Sequence, residues 1–552
     1  MATIGIDFGT TNCSAAVYRD GTVDLIPLEE GRPILPSTIC FTRSGEIAFG
    51  REAIERYLDL TRDTPIRYHF TDLRALTSVF AAEMAESPIV ESDHGLVIVS
   101  DADDDDDVDG DRPSNRPARL FQSIKSGLRD AGFNGTTIYG HYYATEELIA
   151  LVLRHVRERA EAYLGEAVTG AVIGRPVSYA SPDRPPSVPA EEIDRTAHER
   201  MLAAARLAGF AEAALEFEPV AAARYLREGL PAGTNVLVFD FGGGTLDLAV
   251  GRVTAAGAPE IVATYGVLLG GDDFDSAIMR HSLLKHFGQG TTLGPKQLPF
   301  PPNVLAPLLH WQTIPVLARP ASAARLAAIK RQSNAPHTVQ NLQTLTRQGL
   351  GFRLFQAIEA AKIELSAEPH TRIVLDAHDL HIDEVITRGS FVTAIGDHLV
   401  AIEHGLAAVL EAAHLSQGAI DVVLMTGGSS LVPVVQARVR SIFGAERVRM
   451  ANPFTSIVAG LSIVAAEDDI CVPVRDIVPR ATRARLEAEA VTIGETVAFR
   501  RGHQTVEGLV VRRAGGMLHD AVLVIEYWDT EIEQFVSTMR HETKVRRVKV
   551  PR

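Results

Sequence analysis

Three consecutive glycines between two apolar runs constrain this chain more than any other feature. Val236-Leu237-Val238-Phe239-Asp240-Phe241 is a short apolar segment of the kind that forms a buried strand. Gly242-Gly243-Gly244-Thr245 breaks it, and Leu246-Asp247-Leu248-Ala249-Val250 resumes it. Glycines accept positive φ and carry no Cβ, so the peptide N–H groups of such a turn can close around an anion. Thr245 adds a hydroxyl donor. Asp240, at the end of the first run, can face a metal or a water. A strand, an acid, a glycine turn and a second strand describe a phosphate-binding hairpin.

The chain repeats the plan. Ile4-Gly5-Ile6-Asp7-Phe8 leads into Gly9-Thr10-Thr11-Asn12, and Cys13-Ser14-Ala15-Ala16-Val17-Tyr18 returns as a strand. Both copies carry Asp-Phe-Gly followed by small or hydroxyl residues. Two copies so far apart in the chain predict two related lobes closing on one nucleotide. A third glycine turn, Thr426-Gly427-Gly428-Ser429-Ser430, follows the apolar run Val422-Val423-Leu424-Met425.

Other chemistries are excluded by what the motifs lack. No Gly-x-x-x-x-Gly-Lys-Ser/Thr occurs, so the chain is not a P-loop ATPase. Gly242-x-Gly244 is followed three residues later by Asp247 rather than glycine, so a dinucleotide fingerprint fails. Asp105, Asp107, Asp109 and Gly110 match the first positions of a calcium loop, but position 12 is Arg116 and not glutamate. That acidic run, within an insertion near 93–117, reads as a solvated loop. A net charge of −16 argues against nonspecific nucleic-acid binding. Three cysteines (Cys13, Cys40, Cys471) cannot build a disulfide framework and fit a reducing compartment. With neither a leader-like N-terminus nor a bilayer-long apolar run, a soluble cytoplasmic protein without membrane partners is expected.

The three glycine motifs, in this order, resemble the phosphate-1, phosphate-2 and adenosine motifs of the actin-like ATPases. Within that superfamily the chain is most similar to the DnaK-type, 70-kDa heat-shock chaperones. Gly9-Thr10-Thr11-Asn12-Cys13-Ser14, with a short C-terminus, is closest to the YegD-like branch. The resemblance covers about residues 1–465. It implies an α/β fold of two ribonuclease H-like lobes: lobe I over 1–230, lobe II with a return to lobe I over 231–465, and a small β-rich extension over 466–552. It implies ATP or ADP with Mg²⁺, the metal held through water by Asp7 and Asp240. Gly9, Thr10, Thr11, Asn12, Gly242, Gly243, Gly244 and Thr245 would hold the phosphates. Lys125, in Phe121-Gln122-Ser123-Ile124-Lys125, matches the lysine that reaches the γ-phosphate. Glu218, in Phe217-Glu218-Pro219-Val220-Ala221-Ala222-Ala223, matches the acid that helps order the metal's waters. Glu359, Lys362 and Ser366 match the ribose and adenine contacts, and Gly427, Gly428 and Ser429 the adenosine loop. Ile363 and Leu431 stand where the family has arginines that cover the adenine, and an acid is missing near Phe454.

The remaining segments fill in the plan. Thr145 to Leu164 has helical periodicity, Val168 to Val177 reads as a buried strand, and Arg195 to Gly209 reads as a helix ended by glycine. Asp273, in Gly270-Gly271-Asp272-Asp273-Phe274-Asp275, is placed to cap a helix. Residues 289–320, rich in proline, read as an insertion or long loop. Ile470, Val472 and Val474 alternate, as in an edge strand or a groove-lying linker. The tail is too short for the family's peptide-binding sandwich and lid. Three functions remain open: a chaperone-like ATPase of low turnover acting on a client or partner protein, a small-molecule kinase on the same fold, and a filament or scaffold protein.

Overall fold

A computed structural model describes residues 1–61, 117–128, 135–180, 189–226, 230–255, 259–467 and 470–474, and the backbone of strands between 496 and 547. The acidic stretch at 101–111 lies outside the described residues; Gly50–Thr61 is a helix.

Two sheets of the same plan organise the chain. In the first, β1 (Ala2–Phe8), β2 (Asn12–Arg19) and β3 (Thr22–Ile26) form an antiparallel meander. β4 (Val168–Arg175) and β5 (Glu212–Phe217) continue it in parallel from β1. In the second, β6 (Asn235–Phe241), β7 (Leu246–Val253) and β8 (Pro259–Val267) form the meander. β9 (Val422–Thr426) and β10 (Val448–Met450) run parallel from β6. The spatial orders, β3-β2-β1-β4-β5 and β8-β7-β6-β9-β10, therefore match strand for strand. β1 and β6 are central strands whose inward residues, Ile4, Ile6, Leu237 and Phe239, are fully buried. That burial explains their apolar runs.

Helices complete each lobe. Thr145–Leu164 begins with Glu147 accepting from the Ala144 N–H at 2.7 Å and ends at Gly165, whose φ is 70°. The next helix is Ala190–Ala208, which starts five residues before the expected Arg195 and ends at left-handed Gly209. Pro189 and the acidic pair Glu191 and Glu192 supply that earlier start.

The lobes share a layer made by two helices, α1 (Glu218–Leu226) and, late in the chain, Ser456–Ala465. Ala221, Ala222, Leu461 and Val464 pack with Val172 of the first sheet and Val236, Val238 and Leu424 of the second. The late helix also lies on β1: a Cβ on Gly5 would fall 2.3 Å from the Ser462 nitrogen. The two helices touch through backbone, since a Cβ on Gly460 would fall 1.8 Å from the Ala221 carbonyl oxygen. The alanine run after Pro219 is what permits that approach.

Residues 289–320 differ from expectation. They form a hairpin of Thr292–Leu293 with Leu298–Pro299 and then short helical turns at Pro302–Leu305, Ala306–Leu309 and Ile314–Ala318. Val304, Leu308, Ile314 and Leu317 are buried. The prolines start these turns, where a missing N–H costs nothing, instead of preventing them. Val472–Pro473 pairs antiparallel with the outer edge of β5, and Val474 is buried behind it. Beyond it, Thr496–Arg501, Gln504–Ala514, Val522–Asp529, Gln534–His541 and Val545–Arg547 make one antiparallel sheet. Among the described residues no helix is long and apolar enough to cross a membrane.

Replacing Gly460 by valine should force the two shared helices apart and cost about 1–3 kcal/mol of stability. Chemical denaturation of the full chain would measure it, and a variant as stable as the parent would show that the layer has slack.

Candidate functional site

The hairpins β1–β2 and β6–β7 end in turns built alike. The Gly9 N–H donates to the Asn12 carbonyl at 2.9 Å, and the Gly242 N–H donates to the Thr245 carbonyl at 3.0 Å. Register places Phe8 opposite Cys13 and Phe241 opposite Leu246, with both phenylalanines fully buried. One residue further back, Asp7 faces Ser14 and Asp240 faces Asp247 across their hairpins. Each core phenylalanine thus anchors a strand end, and each aspartate emerges beside its turn.

The two turns meet across the cleft between the lobes. A Cβ on Gly243 would fall 2.0 Å from the Thr11 hydroxyl, and one on Gly244 would fall 3.2 Å from that of Thr10. The glycine turn is held from behind. The Gly271 and Asp272 N–H groups, at the start of α2 (Gly271–Ile278), donate to the Gly242 and Gly243 carbonyls at 3.1 and 2.9 Å. Ser429, from the third glycine turn, adds its hydroxyl to the Gly242 carbonyl at 2.7 Å. Asp273 caps α2 by accepting from the Gly270 N–H at 2.7 Å.

A cavity of about 430 Å³ opens between these turns. It is lined by Asp7, Gly9, Thr10, Thr11, Asn12, Lys125, Glu218, Asp240, Gly242, Gly243, Gly244, Thr245, Glu359, Lys362, Ser366, Gly427, Gly428 and Ser429. Every site residue proposed from sequence therefore reaches one space. Glu359, Lys362 and Ser366 come from α3 (Gly351–Ala367). Lys362 is not a loose surface residue: its ammonium donates to Asp275 at 2.8 Å and to the Gly271 carbonyl at 2.9 Å. Ile363, Leu431 and Phe454 form an exposed apolar rim at one end. The ring of Phe454 lies against Gly428.

At the other end sits a buried cluster of charge. Lys125, in the short turn Ile124–Leu128, donates to Glu218 at 2.5 Å with both side chains under 10% exposed. Asp7, Asp240 and Asp247 surround the pair. Burial, and next the charge of Glu218, raise the Asp7 carboxyl to about 7 against the pull of Lys125. The same two causes raise Asp247 to about 7, although the Val177 N–H donates to its Oδ1 at 2.7 Å. Asp240 is pushed well above the carboxylate range by burial, then by Glu218, Asp247 and Asp7. Burial works against the Lys125 charge, but Glu218, Tyr179 and Asp7 outweigh it and hold the ammonium above the ordinary lysine value.

Asp247 and Tyr179 are contributors the sequence reading passed over. Asp247 lies inside the second glycine motif. Its position opposite Asp240 in the hairpin is the signal that could have placed it. Its bond to Val177 also ties the second lobe to the first.

The carboxylates fit a hard divalent cation. They outnumber the one ammonium in a buried space, and an added positive charge would relieve the upward shifts of Asp7 and Asp240. Among the described residues no group converges closely enough to chelate a metal directly.

A model of the Hsp70 protein family matches residues 3–68, 121–296 and 337–480, more than half of the chain. The chain belongs to the Hsp70 family. It is also 29% identical over 486 residues to the chaperone protein DnaK of Thermus thermophilus, an alignment covering 86% of this chain and 62% of that protein. Hsp70 proteins bind nucleotide and are ATPases, and the duplicated sheets are their two-lobed, actin-like fold. The family model passes over 69–120 and 297–336, and the second of these gaps contains the buried turns at 302–318.

The charge cluster predicts a pH signature for the nucleotide-free protein. A carboxyl raised from 3.8 to about 7 favours the native state less once it must ionise; the penalty is absent below about pH 4, grows through that interval and is complete above about pH 7. Asp7→Asn should therefore match the parent in stability at the acid end and exceed it above neutrality. A difference that does not change with pH would contradict the assignment.

Proposed function

We propose that the chain binds ATP and ADP with Mg²⁺ in this cleft and hydrolyses ATP slowly, using the nucleotide to bias lobe closure as a chaperone-type ATPase. The observation that carries the reading is the meeting of two equivalent turns, Gly9–Asn12 and Gly242–Thr245, beside a buried lysine–carboxylate cluster. Phosphoryl transfer to water asks a protein mainly for positioning and charge neutralisation. The turn amides with Thr10, Thr11 and Thr245 would bind the phosphates. Asp7 and Asp240 would hold Mg²⁺ through its waters, and the ion would supply charge neutralisation at the phosphates. Lys125 would leave Glu218 to meet the charge that develops at the terminal phosphate. Glu218, released, and Asp240 would orient the attacking water and hold its proton.

The base end supports looser recognition. Glu359, Lys362 and Ser366 would face the ribose, and Gly427, Gly428 and Ser429 would lie under the sugar and base. Ile363 and Leu431 offer apolar contact, and Phe454 adds one aromatic face. None supplies the cation–π attraction of about 0.5–2 kcal/mol that an arginine gives over a ring.

The chain spans 62% of the length of the curated relative it matches, so action on clients is an inference by kinship. We place the protein in the cytoplasm and in the YegD-like branch, with residues 1–230 and 231–465 as the lobes and 466–552 as a small β-rich extension. The client or partner would be a protein.

Lys125→Ala should lower ATP turnover about a hundredfold or more while nucleotide affinity changes much less, because its charge matters most in the transition state. Single-turnover hydrolysis and equilibrium binding separate the two, and unchanged turnover would remove Lys125 from the site. ATP and GTP should bind within about tenfold of each other for want of the arginine pair. Strict adenine selectivity in competition binding would contradict that.

A further inference from the structure

The chain has 70 acidic residues, yet none falls between Ser276 and Ile358, a stretch that holds nine lysines and arginines. Among the described residues only one of those nine, Lys285, has an ion-pair partner, Glu384 at 2.8 Å. A protein whose net charge is −16 therefore carries one region of uncompensated positive charge.

Backbone bonds gather part of this stretch into a single unit. The hairpin of Thr292–Leu293 with Leu298–Pro299 is tied to the end of the helix Pro320–Gln332. The Gly294 N–H donates to the Gln332 carbonyl at 2.8 Å, and the Asn334 N–H to the Thr292 carbonyl at 3.0 Å. Arg325 joins the helix to the turn Pro302–Leu305 by donating to Asn303 Oδ1 at 3.0 Å. Lys296, on the hairpin turn, thus stands near the helix end that carries Arg331. Lys296, Arg325 and Arg331 are exposed, and Leu298, two residues after Lys296, is 57% exposed. None of the four lines the nucleotide cavity. The helix lies where the family match is interrupted. Its last turn holds Lys330 and Arg331, where cations favour the macrodipole. That effect does not account for Lys296 or Arg325, nor for the missing acids.

We propose that this hairpin and helix form a docking surface for an acidic peptide segment of a partner protein. Its carboxylates would meet Lys296, Arg325 and Arg331, and an apolar side chain would cover Leu298. Arginine forks match carboxylates in a bidentate way, and opposite charge steers the partner's approach. Nucleic acid fits the region less well. Its aromatic residues, Phe287, Phe300, Trp311, Phe352 and Phe355, are all buried, which leaves no ring for a base to stack on. The acids elsewhere in the chain repel a long polyanion.

The full-length protein would be titrated into a fluorescein-labelled peptide of glutamates around one leucine, followed by anisotropy. The comparison probes are the same peptide with glutamines and a single-stranded DNA oligonucleotide of equal charge. The expected result is saturable binding of the acidic peptide that weakens as salt is raised, with none for the glutamine peptide. Arg325→Glu with Arg331→Glu should raise the Kd about tenfold or more. Arg325→Gln with Arg331→Gln, which removes the charge without reversing it, should raise it less. An unchanged circular dichroism spectrum and thermal midpoint separate lost docking from lost folding. Arg159→Glu with Arg195→Glu, at exposed positions of the first lobe, changes the net charge as much as the double reversal and should leave the Kd unchanged. No saturable binding, an equal loss in the first-lobe pair, or tighter binding of the oligonucleotide would overturn the proposal. So would binding that appears only when Asp103 to Asp107 are changed to asparagine, since the chain's own acidic run would then be the occupant.

Discussion

Thr10 and Thr11 of one lobe approach Gly243 and Gly244 of the other so closely that a single added methyl group would fill the space. Much of the architecture serves that contact. Two copies of one sheet bring two copies of one turn to the same place. The helices at Glu218–Leu226 and Ser456–Ala465 form a common floor beneath both. The absence of side chains at Gly243 and Gly244 is therefore a requirement between lobes as well as within a turn.

The contact is charged against itself. Asp7, Glu218, Asp240 and Asp247 share one buried ammonium, and burial raises Asp7, Asp240 and Asp247 above the usual carboxylate range. Replacing part of that strain with a metal cation and a polyanion is a way to make ligand binding favour one arrangement of the lobes. The Val177–Asp247 bond and the Lys125–Glu218 pair are the links that such a change would have to break or remake.

Much of this was legible in the sequence because it rests on local chemistry. The Asp-Phe-Gly turns announce themselves through glycine and through the apolar runs on either side. The helix at Thr145–Leu164 shows its period and its terminal glycine directly. Residues 302–318 hid their structure: their buried Val304, Leu308, Ile314 and Leu317 sit in turns too short to show a period, and proline there starts a turn where it usually signals a loop. The earlier start at Ala190 escaped because acidic residues alone are a weak boundary signal. Asp247 lies inside the second glycine motif, but only the hairpin register puts it opposite Asp240.

The central claim is that one nucleotide is gripped at once by turns from both lobes. Hydrogen exchange, followed by mass spectrometry on the full chain with and without ATP and Mg²⁺, tests it directly. Amides at 9–12, 242–245 and 427–429 should gain protection together and over the same concentration range. Protection of one turn alone, or of none, would contradict the account.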